Sequence, residues 1–232
     1  MDGFTKNKQK DTGVLRKQDI RFEAVLWDMD GTLADSEPLH EKAMRNVLAG
    51  LGITPSVDDF NNVIGTEGPV TFRYFSDKYK LSIGYEEYRE QNYRYYCQHS
   101  NTINPLFGCE VYLALEELGI PQAIVSNSDR MLVQATMRAI GIEKPGLTVV
   151  TRNDVLLGKP DPEGYLRAAH LLGTKPRNTA VIEDSHVGAQ AGIDAGMTVF
   201  GVPLEENRHR FDSSTQLANG KESLMAYLIK QQ

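Results

Sequence analysis

The strongest constraint on the fold of this chain is an alternation of short apolar runs with segments of helical spacing. Four of the runs are each followed by a helix-like segment, and a fifth run follows the last of these segments: 22–27, 122–125, 147–150, 179–182 and 198–202. Apolar residues recur at helical spacing over 129–140 and 162–172. Strands that alternate with helices form a parallel sheet with both faces covered. We therefore predict an α/β fold with a Rossmann-like parallel sheet as its core.

The region after the first predicted strand departs from this alternation. It reads as helices only, over 39–51, 57–64, 70–79 and 85–99. This pattern predicts an α-helical cap domain, 38–104, inserted into a core domain made of 21–37 and 105–232. An insertion at this point lies beside the end of the first strand, which is a suitable position for a lid. The polar residues 1–20 contain no apolar signal-peptide core, and we expect them to form a flexible tail.

Polar residues follow three of the predicted strands. They are Asp28 and Asp30 after the first, Ser126, Asn127 and Ser128 after the second, and Glu183 and Asp184 after the fourth. Ligands of parallel sheets bind beyond the carboxyl ends of the strands. The sequence therefore predicts that these side chains converge at one edge of the sheet.

The two carboxylates of Asp28 and Asp30 have rival interpretations. A calcium loop of the EF-hand type counted from Asp28 needs Gly at its sixth position and Glu at its twelfth, but Leu33 and Leu39 stand there. Helix capping accounts for one carboxylate and not for both. Phosphoryl transfer accounts for both, because one carboxylate attacks phosphorus while the other protonates the leaving alkoxide and later deprotonates water. Two carboxylates facing a phosphate need a cation, and Mg²⁺ prefers oxygen ligands, with Asp184 as a further ligand.

Two other features suit a phosphate site but also have simpler explanations. Lys159 lies in a loop that Gly158 and two prolines restrain. A loop lysine is usually solvated, whereas a positioned one neutralises the nucleophile and the transferring phosphoryl group. Ser126 and Asn127 either form a simple turn or hold phosphate oxygens. The residues alone leave both alternatives open.

Taken together, these segments resemble a known family. DMDGTLADSE, VSNSD, GKPDP and VIEDSHVGAQAG, in this order, resemble the four motifs of the haloacid dehalogenase superfamily, and the resemblance spans about residues 21–202. The insertion is similar to the small helical cap of the group that contains β-phosphoglucomutase and sugar phosphatases. The resemblance implies these roles: Asp28 as nucleophile, Asp30 as acid and base, Lys159 for charge balance, Ser126 with Asn127 for phosphate, and Asp184 with Glu183, the Asp28 carboxylate and the Asp30 carbonyl for Mg²⁺.

The choice of reaction depends on a few positions. Dehalogenases of this superfamily lack the second aspartate, so Asp30 favours a phosphate substrate. His40 resembles a mutase position that also occurs in phosphatases. Mutases carry a cationic Lys-Gly-x-x-Arg-like stretch in the cap, whereas residues 64–68 here read Ile-Gly-Thr-Glu-Gly, and Glu67 adds negative charge. His40, Thr66 and Glu67 are the candidate substrate-binding residues of the cap.

We therefore predict a Mg²⁺-dependent phosphatase that acts on a small phosphorylated metabolite, a sugar phosphate or sugar-acid phosphate, through an aspartyl-phosphate. A β-phosphoglucomutase-like mutase is the alternative. A non-catalytic binding protein of the same fold is a third, but it is expected to have lost a nucleophile, lysine or metal ligand, and none is missing.

Composition limits the partners. The net charge of −6 gives no electrostatic basis for binding nucleic acid, and no apolar run approaches the length of a membrane span. Cys97 and Cys109 have neither a metal-like nor a redox-like spacing, which favours the reducing cytoplasm. We expect a monomer, with a dimer as the alternative.

Overall fold

The structure is a computed structural model that describes residues 15–63, 66 and 68–230. Its strands are β1 (Ala24–Trp27), β2 (Ala34–Asp35), β3 (Asn104–Pro105), β4 (Gln122–Val125), β5 (Thr148–Val150), β6 (Thr179–Glu183), β7 (Thr198–Gly201) and β8 (Gln216–Leu217). Six of these strands form one parallel sheet in the order β5-β4-β1-β6-β7-β8. The predicted parallel sheet is confirmed, and β8 extends it at one edge beyond the five predicted strands.

The helices follow the predicted alternation. They are α1 (Glu37–Gly50), α2 (Val57–Asn61), α3 (Gly68–Tyr79), α4 (Tyr85–His99), α5 (Phe107–Glu117), α6 (Arg130–Ala139), α7 (Glu163–Leu172), α8 (His186–Asp194) and α9 (Lys221–Leu228). The predicted bounds of α4 agree with the structure, whereas α2 ends before the predicted residue 64, which lies outside the described residues. Within the described ranges, none of the helices combines the length and apolar character that a membrane crossing requires.

Both faces of the central strands are covered, which explains their continuous apolar sequences. In β1, Val25 and Trp27 pack into a cluster with residues of α5, α6 and α9. Leu26, between them, points to the opposite face and packs with residues of α7 and α8. Successive strand residues alternate between faces, so a strand buried on both sides needs apolar residues at every position. The helices therefore lie on both sides of the sheet.

The helical insertion leaves and re-enters the core through two short strands. β2 and β3 pair antiparallel, with Ala34 opposite Pro105 and Asp35 opposite Asn104. A separate apolar cluster forms within the insertion around Leu48, Phe60, Val63 and Phe75. The two connections are therefore joined to each other at the base of the insertion.

α4 also links the insertion to the core. Its fully buried Tyr96 belongs to the main core cluster, and its hydroxyl lies 2.7 Å from the hydroxyl of Thr136 on α6. A tyrosine hydroxyl that is buried in this way needs such a partner. The insertion thus has its own core while one end of α4 packs on the sheet domain.

The predicted N-terminal tail lies mostly outside the described residues. Its last part packs on the core, because Ile20 is buried and pairs with Ile229 after α9. The amide of Arg21 donates to the carbonyl of Leu228 at 2.8 Å. The described end of this segment is therefore fixed by the C-terminal helix.

Candidate active site

The candidate site lies at the carboxyl ends of β1, β4 and β6. Asp28 follows β1 directly and is 7% exposed. Gly31 then turns the chain with a φ of +80°, and a Cβ there would lie 2.2 Å from Oδ2 of Asp184. Glycine is therefore required at this turn both for its backbone conformation and for the close approach of Asp184. The turn brings the carboxylates after β1 and β6 together.

Lys159 supplies the buried positive charge of the site. Its Nζ donates to Oδ1 of Asp28 at 2.6 Å, to Oε1 of Glu183 at 2.6 Å and to the carbonyl of Val125 at 2.9 Å. Burial alone would lower the pKa of Lys159, but the charges of Asp28 and Glu183 and their hydrogen bonds raise it above its ordinary value. The lysine is therefore a permanent cation directed at the candidate nucleophile.

Glu183 holds this lysine in place. Its Oε1 also accepts the hydroxyl of Tyr165 at 2.7 Å, and its Oε2 accepts the amide and hydroxyl of Ser185 at 3.3 and 3.0 Å. A carboxylate has about four acceptor positions, and these contacts use them. Glu183 is also expected to share in metal binding, which stays a prediction; in this structure its carboxylate binds Lys159, Tyr165 and Ser185.

Asp28 and Asp184 are suited to a divalent cation. Ligand atoms of Asp28, Glu183 and Asp184 lie within 4.8 Å of one another. Within the described parts of the chain, Asp184 has no side-chain hydrogen-bond donor. Burial raises the pKa of Asp184 well above its ordinary value, and the charge of Asp28 raises it further. Such a partnerless, crowded carboxylate is stabilised by a cation that accepts hard oxygen ligands.

Asp30 is surrounded by hydrogen-bond donors. Its Oδ1 accepts the hydroxyl of Ser36 at 2.5 Å and lies 3.4 Å from Nε2 of His40. Its Oδ2 accepts the hydroxyls of Ser126 at 3.3 Å and Ser128 at 2.8 Å. Burial alone would raise the pKa of Asp30, but hydrogen bonds from His40, Ser36 and Ser128, and the charge of His40, lower it well below its ordinary value. In this arrangement Asp30 is an ionised acceptor.

The loop after β4 contributes hydroxyls rather than an amide to the centre of the site. The hydroxyl of Ser126 also accepts the amide of Ser128 at 2.9 Å, which fixes the loop. The side chain of Asn127, which is expected to bind phosphate, pairs in this structure with the backbone of Lys159. Of the two residues expected to hold phosphate, only Ser126 therefore has its side chain directed at Asp30.

The predicted cap residues divide into three cases. His40 reaches Asp30, and its ring lies 4.5 Å from that of Tyr96. Thr66 makes its contacts within the insertion, donating to the carbonyl of Val63 at 2.8 Å and pairing with Thr71 at 2.8 Å. Glu67 lies outside the described residues. Of the cap candidates, the structure brings His40 into the site.

Two polar residues of the site, Ser36 and Tyr165, were missed from the sequence, and a third, Ser128, was given no role. Ser128 was expected at the same edge of the sheet as Ser126, and its hydroxyl binds Asp30. Ser36 lies in the position before α1, and its hydroxyl binds Asp30 rather than capping the helix. Tyr165 gave no signal, because it falls on the apolar face of α7 and resembles a core residue.

Comparisons with known proteins agree with this geometry. A family model described as haloacid dehalogenase-like hydrolase matches residues 25–202. Hexitol phosphatase A of Escherichia coli is 32% identical over 185 residues, covering 79% of this chain and 84% of that protein. Fructose-1-phosphate phosphatase YqaB of Escherichia coli is 28% identical over 188 residues, covering 79% of this chain and 98% of that protein.

A solved structure supports the fold alone. The crystal structure of CbbY from Rhodobacter sphaeroides in complex with phosphate matches with a TM-score of 0.81 at 22% identity. The match covers 89% of this chain and 99% of that one. The similarity therefore extends through both the sheet domain and the insertion.

Proposed function

The chain belongs to the haloacid dehalogenase-like hydrolase family, and on that premise we propose that it is a Mg²⁺-dependent phosphatase of small phosphorylated metabolites. The observation that carries this proposal is the convergence of Asp28, Asp30 and Lys159 at one edge of the sheet. A nucleophile, an acid–base group and a fixed cation are the parts that hydrolysis of a phosphate ester requires.

The first step is attack by Asp28. One carboxylate oxygen bonds to phosphorus, the bond from phosphorus to the ester oxygen breaks, and the leaving alkoxide takes a proton from Asp30. The product is an alcohol and an aspartyl-phosphate. Lys159 stabilises the charge that develops, because it is buried against Asp28 and needs no rearrangement.

Asp30 must change partners to donate that proton. Its lowered pKa in the structure depends on the hydroxyl of Ser128 and on His40 and Ser36. When phosphate oxygens accept the hydroxyls of Ser126 and Ser128, Asp30 loses two of its donors and its pKa rises towards the ordinary range. Substrate binding would thereby prepare the acid.

The second step returns the enzyme to its starting state. Asp30, now ionised, takes a proton from water while the water oxygen bonds to phosphorus. The bond from phosphorus to Asp28 breaks, which releases inorganic phosphate and the free carboxylate. Asp28, Asp184 and the carbonyl of Asp30 would hold Mg²⁺, which when bound neutralises charge on the phosphate oxygens.

We further propose that the insertion 38–104 selects the substrate. It covers the site through His40, and two relatives are named as phosphatases of a hexitol phosphate and of fructose 1-phosphate. A phosphorylated sugar, sugar alcohol or sugar acid is therefore the class that we would test first.

The test is phosphate release across a panel of phosphorylated sugars, sugar alcohols and sugar acids, with and without Mg²⁺. We expect Mg²⁺-dependent release from at least one compound, loss of turnover in Asp28→Asn, and lower turnover with a higher Mg²⁺ requirement in Asp184→Asn. Isomerisation without phosphate release would identify a mutase instead. Turnover in the purified Asp28→Asn variant would contradict the assignment of the nucleophile.

A further inference from the structure

We infer that Asn127 is a positioning residue, whose side-chain amide fixes the backbone of Lys159 and so aims its ammonium at Asp28. This inference rests on the proposed function, because it assigns a role within the same site. It differs from the expectation that the Asn127 amide holds substrate phosphate. Its basis is a reciprocal contact between two loops.

The contact has two hydrogen bonds between the same pair of residues. The amide of Lys159 donates to Oδ1 of Asn127 at 2.8 Å, and Nδ2 of Asn127 donates to the carbonyl of Lys159 at 3.2 Å. Because donor and acceptor are both used, the plane of the asparagine amide and the backbone of Lys159 fix each other. The pair joins loops whose residues are 32 positions apart.

The far end of the same lysine is fixed from the same strand. Nζ of Lys159 donates to the carbonyl of Val125 at 2.9 Å, two residues before Asn127. The end of β4 thus holds the ammonium of Lys159, and the loop after β4 holds its backbone. A flexible four-carbon side chain reaches a defined point when both ends are held.

A second side chain restrains the loop but does not touch the lysine. Oε2 of Glu163 accepts the amides of Leu156 at 2.9 Å and Leu157 at 3.0 Å. This contact explains how Leu156 has a defined position although it is 85% exposed. Glu163 therefore restrains the loop before Lys159, whereas Asn127 restrains the backbone of Lys159 itself.

The alternative role as a phosphate ligand fits the contacts less well. Oδ1 of Asn127 is an acceptor, which repels phosphate oxygens, and Nδ2, the donor of the side chain, already donates to the carbonyl of Lys159. The hydroxyls of Ser126 and Ser128 are the donors of this loop that reach the acid–base residue. We therefore assign phosphate binding to the hydroxyls of Ser126 and Ser128, and the positioning of Lys159 to the side-chain amide of Asn127.

The test compares Asn127→Ala and Asn127→Asp with Asn153→Ala. Asn153 is a matched control, because its Oδ1 also accepts a backbone amide, that of Arg130 at the start of α6, at 2.7 Å and without touching Lys159. We expect Asn127→Ala to lower kcat by about 10- to 100-fold through misplacement of Lys159. In Asn127→Ala, KM and the inhibition constant of inorganic phosphate should stay within about twofold of the wild-type values. Asn153→Ala should leave kcat and KM nearly unchanged.

Hydrogen exchange supplies a readout independent of turnover. Peptides containing residue 159 should exchange faster in Asn127→Ala than in the wild type, with Asn127→Asp intermediate, because aspartate keeps the acceptor for the Lys159 amide. A roughly tenfold loss of phosphate affinity with kcat unchanged would overturn the inference in favour of a phosphate ligand. Unaltered exchange around residue 159 would also overturn it. Absence of hydrolysis by the wild type would instead contradict the proposed function, while hydrogen exchange and direct binding of inorganic phosphate still test Asn127.

Discussion

The ammonium of Lys159 lies 2.6 Å from a carboxylate oxygen of Asp28, and both side chains are almost completely buried. The same ammonium lies 2.6 Å from Glu183, so one cation serves two anions. With Asp184 also present, the carboxylates outnumber the lysine at this edge of the sheet. The imbalance is the physical reason to expect a bound cation here.

Lys159→Met tests the importance of that shared cation. It leaves Asp28 and Glu183 buried without their counter-charge, and a lost partner in a buried ion pair costs about 3–5 kcal/mol. We expect the free energy of unfolding, measured by urea denaturation, to fall by about 3–5 kcal/mol. We expect kcat to fall by about 10²- to 10³-fold. Lys221→Met is the control, because its exposed pair with Glu110 contributes less than about 1 kcal/mol. Equal stability losses in the two variants would contradict this account.

The pairing of His40 with Asp30 predicts a pH-dependent contribution to stability. Burial alone would lower the pKa of His40, but the hydrogen bond and charge of Asp30 and the charge of Glu37 raise it above its ordinary value of 6.5. A raised folded pKa stabilises the protein fully below the ordinary value, and this stabilisation is lost as pH rises through the folded value. Asp30, with its lowered pKa, remains ionised throughout this range.

The measurement is urea unfolding of the wild type and His40→Ala at a series of pH values from about 5.5 upwards. The difference in free energy of unfolding between the wild type and His40→Ala should be largest at the lowest pH and should decrease above pH 6.5. Part of it should persist at every pH, because His40 also packs against Tyr96. A difference that grows with pH would show that His40 is held in its neutral form.

Glycines at two positions should respond in opposite directions to alanine. A Cβ at Gly188 would lie 1.7 Å from Oε1 of Glu183, whereas nothing lies within 4 Å of one at Gly50. We expect Gly188→Ala to destabilise the fold by about 1–3 kcal/mol and to reduce turnover, because Glu183 must move and Lys159 with it. Gly50→Ala, at the exposed end of α1, should instead stabilise by up to about 0.5–1 kcal/mol. Thermal unfolding and phosphate release distinguish the two; a stable, active Gly188→Ala would contradict the packing described here.

The sheet could be predicted because its strands are buried on both faces. β4 and β6 read as continuous apolar runs, and polar residues mark where they end. β8 could not be predicted, since it has only two residues and takes its place by pairing with β7. α5 and α9 were not predicted, although Pro105 and Gly119 flank α5 and Gly220 directly precedes α9. Ile20 was assigned to a tail, although its burial depends on a partner at the other end of the chain.

The catalytic residues could be predicted where the residue types in a motif fit only one kind of chemistry. Two carboxylates at a strand end, Asp28 and Asp30, indicate phosphoryl transfer, and the structure places them at the same edge of the sheet as Lys159. Contacts between distant residues were not predictable, such as the hydroxyl of Ser128 on Asp30, 98 positions away. The engagement of Glu183 by Lys159 and Tyr165 likewise depends on how three elements pack. The sequence supplies the chemical groups, and packing decides which of them are already occupied.

Asp30→Asn should separate proton transfer from phosphoryl transfer. Asparagine occupies nearly the same space and still accepts a hydrogen bond from Ser36 or Ser128, so the site should keep its shape. It cannot give a proton to the leaving oxygen or take one from water. Loss of the proton donor matters most for a poor leaving group, such as the alkoxide of a sugar phosphate. It matters little for an aryl oxide, which leaves without a proton.

We therefore expect kcat/KM for a sugar phosphate to fall by about 10²- to 10⁴-fold in Asp30→Asn, and kcat/KM for an aryl phosphate to fall much less. A pre-steady-state burst of the aryl product should appear as well, because loss of the base slows hydrolysis of the aspartyl-phosphate after the aryl oxide has left. Lys159→Met is the comparison variant, since Lys159 contacts Asp28 and not Asp30, so its loss should slow attack on both ester types by similar factors. If Asp30→Asn also reduced both esters by one common factor, without a burst, then Asp30 would act on the geometry or the metal and not on the proton.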